Sequence, residues 1–168
     1  MDDLRLFLSH AVALEGDAAE RYHELNQALD VHNNAEVAEL FGRMEHYSKL
    51  HLAEATERAE AAGGVIRLKP WEFQWGDVES PESAEIEASH YLMTPHHALK
   101  LALAAENSAH AFYDGVRAAT SNPEVRELAA EFAAEEAGHA AELERWLARY
   151  PEPGQDWDED PDPPVAVD

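Results

Sequence analysis

Two stretches of this chain repeat each other at helical spacing, and the repetition limits the fold more than any other feature. Glu15-x6-Tyr22 matches Glu106-x6-Tyr113 at an offset of 91 residues, and Glu36-Val37-x-Glu39-Leu40 matches Glu124-Val125-x-Glu127-Leu128 at an offset of 88. Self-similarity over such a distance marks a duplicated supersecondary unit. The difference between the offsets falls in turns, at Val31–Asn34 against Ser121–Asn122. Within each copy, seam residues recur at alternating spacings of three and four, as in Leu4, Leu8, Ala11, Glu15, Ala18, Tyr22, Leu25 and Leu29. That period is a helix burying one face. The predicted fold class is therefore all-α, a four-helix bundle built from two repeated helical hairpins.

The helices are expected over about 3–30, 35–62, 95–122 and 123–150. Gly63-Gly64 ends the second, and Pro95 and Pro123 open the third and fourth. Residues 63–94 carry no long helical period. Ser80-Pro81 reads as the cap of a short helix over 81–92, and the Trp71–Trp75 segment is expected to pack along the outside of the bundle. A connection this long suits two successive long helices that run in the same direction, hence a long crossover between helices 2 and 3. Residues 1–150 form the expected domain. Residues 151–168 are acidic and proline-rich and read as an extended or disordered tail.

Composition removes several classes of function. The net charge of -23 repels nucleic acid and anionic membrane, which are bound by Lys and Arg. No apolar run reaches membrane-spanning length and the first residues lack a signal-peptide layout, so a cytoplasmic location is expected. The chain has no cysteine, which excludes disulfides, thiolate nucleophiles and cysteine-ligated iron centres within it.

What remains are polar residues on apolar seams. Glu15, Glu106 and the pair Glu136-x-x-His139 interrupt the stripes of helices 1, 3 and 4, and His51 lies on the stripe of helix 2. The repeat puts His51 opposite His139. Packing the hairpins face to face gathers these groups near mid-bundle, where carboxylates are costly unless their charge is cancelled. A pair of metal ions does this, in the pattern of carboxylate di-iron bundles. Carboxylate with imidazole and no thiolate suits iron or manganese better than copper(I) or a structural zinc. A di-iron pair is the expected cofactor, with manganese or zinc as alternatives.

On Glu15-x6-Tyr22, Glu106-x6-Tyr113 and Glu136-x-x-His139, the sequence resembles the rubrerythrin branch of the ferritin-like superfamily, over about residues 4–150. The resemblance implies a ferritin-like bundle with a non-haem di-iron centre, a homodimer or larger assembly, and an oxidoreductase that oxidises Fe(II) or reduces hydrogen peroxide. It makes Glu15 and Glu106 single-helix ligands, Glu136 a bridging or capping ligand, and His51 and His139 the imidazole ligands. Tyr22 and Tyr113 would hydrogen-bond the ligating carboxylates.

Two departures bear on function. Without cysteine there is no rubredoxin-type centre, so electrons would come from an external donor. The helix-2 counterpart of Glu136 is Ser48, so one expected carboxylate is missing. Glu45, one turn earlier, could swing in; water or an anion could fill the gap; or one metal could bind instead of two. An iron-binding or storage-accessory protein with little turnover is the alternative to the enzyme. A scaffold with a decayed site and a di-iron hydroxylase are further readings.

Overall fold

The computed structural model describes residues 1–31, 34–75 and 94–152 of the chain. Among them, α1 spans Leu4–Val31, α2 Ala35–Ala61, α3 Pro95–Ala119 and α4 Pro123–Arg149, with a 3-10 turn at Pro70–Glu72. None of the described helices is long and apolar enough to cross a membrane. The all-α four-helix bundle of two hairpins expected from the repeat is what the described residues form.

Local chemistry sets the helix ends. Thr94 caps α3 by accepting from the His97 amide at 3.1 Å, and Asn122 caps α4 by accepting from the Glu124 amide at 3.0 Å; each is followed by proline. After α2, Gly63 and Gly64 take φ of 114° and 98°, which residues with a side chain rarely adopt. The third helix is shorter than its expected end near Asn122. Thr120 turns to an extended conformation, is buried, and donates its hydroxyl to Asp2 Oδ1 at 2.8 Å. That tie to the chain's start stops α3 at Ala119.

α1 packs along α2 and α3 along α4, and the hairpins meet through α1 against α3 and α4. Arg5 bonds the Gly64 carbonyl after α2, and Asp2 bonds Thr120 after α3, so α2 and α3 finish at the same end of the bundle. They therefore run in the same direction. The chain joining them includes residues 76–93, so the short helix expected over 81–92 lies outside the described residues, as does the tail beyond 152. Residues 64–75 fold back over α1. The Ile66 amide donates to Ser9 Oγ at 2.9 Å and the Gln74 amide to His10 Nε2 at 3.0 Å. Phe73 and Trp75 close on the His10 ring, whereas Trp71 stays exposed.

The apolar core comes in two parts. One gathers Tyr22, Leu25, Phe41, Met44, Leu99 and Leu143; the other gathers Phe7, Leu8, Tyr113, Val116, Val125 and Phe132. A band of buried polar side chains lies along the same helices between them, and it contains the residues singled out above.

Candidate metal centre

Each long helix contributes to the band because its seam carries a polar group there. α1 supplies Glu15, α3 Glu106 and α4 Glu136; these are 7%, 3% and 5% exposed. α2 supplies His51, with Ser48 buried one turn before it, and α4 adds His139. The ligand atoms of Glu106, Glu136 and His139 all lie within 4.8 Å of one another. His139 Nδ1 stands 3.4 Å from Glu136 Oε2 and 3.5 Å from Glu106 Oε2. Across the band, His51 Nδ1 is 3.9 Å from Glu15 Oε2. The two imidazoles stack, with ring centroids 5.6 Å apart, which brings the two halves together.

Charge is unevenly held. Burial and the neighbouring Glu106 charge lift the Glu15 carboxyl to about 7. Burial pushes Glu136 well above the usual carboxylate range. Burial opposes ionisation of Glu106 too, but hydrogen bonds with His139 and Glu136 outweigh it and hold Glu106 down at about 2. At His139, hydrogen bonds with Glu106 and Glu136 outweigh burial and raise it to about 10. The Glu136 carboxyl thus resists ionisation between two others, as expected of like charges forced together in a poorly solvated place.

The tyrosines break the symmetry of the repeat. Tyr22 donates to Glu106 Oε1. Its counterpart Tyr113 is fully buried but its Oη has no hydrogen-bond partner among the described residues, and the buried Nδ1 of His51 likewise has none among them. Both orphaned atoms belong to the Glu15 half, the half in which Ser48 replaces a carboxylate. Nor does Glu45 turn inward: it bonds Lys49 and lies 3.3 Å from His23 Nδ1. Tyr22→Phe should therefore cost about 1.5–3 kcal/mol, because it strips a donor from a buried carboxylate. Tyr113→Phe should change stability by less than about 1 kcal/mol. Urea unfolding of the two metal-free variants checks the contrast, and equal losses would contradict it.

Three buried carboxyls, two imidazoles and an orphaned imidazole nitrogen fit a hard or borderline metal ion. Helical period and the repeat locate Glu15, His51, Glu106, Glu136 and His139. They do not reveal Glu135, whose Oε2 lies 3.8 Å from His51 Nε2, or Tyr47, whose ring stacks on His139 at 6.4 Å. A signal was present for both. Residues 47 and 135 are each other's counterparts in the repeat, and each lies four residues before a seam histidine.

The rubrerythrin family model matches residues 97–159. A solved structure, an uncharacterized conserved protein from Magnetospirillum magnetotacticum, is 40% identical, with a TM-score of 0.77 over 89% of this chain and 96% of that one. No curated protein matches the chain.

Proposed function

The chain belongs to the rubrerythrin-like proteins of the ferritin-like superfamily, and from that membership we propose that its 1–150 bundle holds two iron ions and works as an oxidoreductase. The observation that carries the reading is the band itself: three buried carboxyls and two imidazoles from four helices, with His51 Nδ1 left without a hydrogen-bond partner among the described residues. Glu15 and His51 would hold one ion, Glu106 and His139 the other, and Glu136 would lie between them. Bound iron would supply the electrons that turn hydrogen peroxide into water, or would itself pass from Fe(II) to Fe(III). The protein's own part is to position and to move protons. Tyr22 fixes Glu106, and Glu136, whose carboxyl burial pushes well above the usual range, would give up its proton as metal binds. Ser48 brings no carboxylate from α2, so an oxidant would meet one ligand fewer on that side. Electrons would come from an external donor, since the chain has no cysteine to hold a rubredoxin-type centre. We further read the molecule as a cytoplasmic homodimer.

A second reading follows from Ser48. With one carboxylate fewer than the di-iron pattern, the centre would bind iron as an accessory to storage and turn over little. One experiment separates the two. Protein loaded anaerobically with Fe(II) should hold two irons per chain, falling to one or none in Glu136→Ala. Peroxide should then oxidise the wild type through repeated turnovers once reductant is supplied. Iron bound without turnover, with turnover gained in Ser48→Glu, would favour the accessory role. No bound iron would remove both readings.

A further inference from the structure

We infer that Glu135 is the positioning residue of the Glu15 half: its carboxylate takes the Nε2–H of His51 and so leaves Nδ1 as a lone pair facing Glu15. The inference rests on the metal reading above and adds to it the element that turns His51 into a ligand.

A neutral imidazole has one N–H and one lone pair, and the partner of one nitrogen decides the chemistry of the other. His51 lies between two carboxylates on opposite sides, Glu15 Oε2 at 3.9 Å from Nδ1 and Glu135 Oε2 at 3.8 Å from Nε2. Nδ1 is the buried atom, and among the described residues it has no hydrogen-bond partner. Nε2 faces Glu135, which is partly exposed and can close the remaining distance by side-chain rotation. Burial disfavours the Glu135 charge and the facing His51 favours it, while the nearby Arg58 is bonded to Glu54 and Glu131.

The repeat supplies an independent argument. The position before the Ser48/Glu136 pair is Tyr47 on α2 and Glu135 on α4. Tyr47 lies against His139 of the other hairpin, and Glu135 lies against His51 of the other hairpin. The same position in both copies therefore backs the imidazole opposite, by ring contact in one case and by charge in the other. The asymmetry has a reason. His139 already has Glu106 and Glu136 at its Nδ1, whereas Ser48 gives His51 no carboxylate from its own helix. A carboxylate behind a ligating histidine fixes its tautomer and raises its basicity, and its loss typically costs about 10–100-fold in metal affinity.

The test uses the full chain and Co(II) alone. In metal-free wild type with 15N-labelled histidine, NMR should find His51 protonated at Nε2, and Glu135→Ala should mix the tautomers. Titrated with Co(II), Glu135→Ala should lose about 10–100-fold in affinity at the weaker of the two sites. Glu135→Gln should recover most of the loss, because its amide oxygen still accepts. Metal-free melting should be the same for all three proteins, which separates positioning from folding. Equal Co(II) affinity in wild type and Glu135→Ala, or a wild-type His51 protonated at Nδ1, overturns the inference while leaving the metal reading intact. A wild type that takes up no Co(II) overturns the metal reading and the inference with it.

Discussion

Stripped of metal, the protein is expected to lose about 3 kcal/mol of stability between pH 5 and pH 8. Burial and the Glu106 charge lift the Glu15 carboxyl from 4.5 to about 7. Between those values the folded chain holds a proton that the unfolded chain has released, so stability falls as pH rises. His139 works in the same direction at higher pH. Its charged form is held by Glu106 and Glu136 up to about 10, so its contribution is full below about 6.5 and lost as pH rises through about 10. Glu106 opposes this only at the acid end. Held at about 2, it contributes fully above about 4.5 and loses that contribution as pH falls through about 2. The maximum should lie near pH 5. Melting of EDTA-treated protein at constant ionic strength should show a Tm roughly 6–12 °C lower at pH 8 than at pH 5. Glu15→Gln should flatten the curve between pH 5 and pH 7. A Tm that holds or rises across that range would contradict the charge distribution described above. With metal present the protons must leave, so affinity should rise with pH as stability without metal falls.

Phe7→Ala is expected to cost about 3–5 kcal/mol, a large part of the stability of a domain this size. Phe7 is fully buried on α1. It stacks on Phe132 of α4 with centroids 5.9 Å apart and meets the edge of Tyr113 of α3 at 6.0 Å. One ring therefore joins both hairpins beside the polar band. Its other neighbours in the cluster include Ala11, Ala55 and Ala59, too small to refill the space, so the cavity should persist. Urea unfolding of the metal-free variant measures the loss, and a value under about 1.5 kcal/mol would mean that the site collapses around the missing ring. Because Tyr113 leans on Phe7, the variant should also weaken metal binding at the Glu15 half.

The helices and the five converging residues were legible because both follow from period. A carboxylate on an apolar seam is visible once the seam is drawn, and the repeat says which seams face one another. Period is blind to what happens just off the seam. Glu135 sits one residue from Glu136 and reads as part of a solvated face; its approach to His51 depends on where that ring arrives from another helix. The orphaned Tyr113 hydroxyl is equally invisible, since its sequence environment matches that of Tyr22, whose hydroxyl is bonded. His10 escaped for a different reason. The segment that covers it has no period, so neither the Gln74 amide bonded to its ring nor the Phe73 and Trp75 rings against it can be placed from spacing.

Two cross-hairpin ties sit at opposite ends of the bundle. Asp2 bonds the turn before α4, and Glu36 accepts from Arg149 and, at 2.6 Å, from the Tyr150 hydroxyl. Mechanically, these are two pins through a sliding joint. One pin would let a hairpin pivot or creep along the other; two prevent both movements. A displacement of one residue along a helix axis is about 1.5 Å, enough to spoil ligand geometry at a metal. Surface bonds far from any chemistry thus set the tolerance to which the interior is assembled.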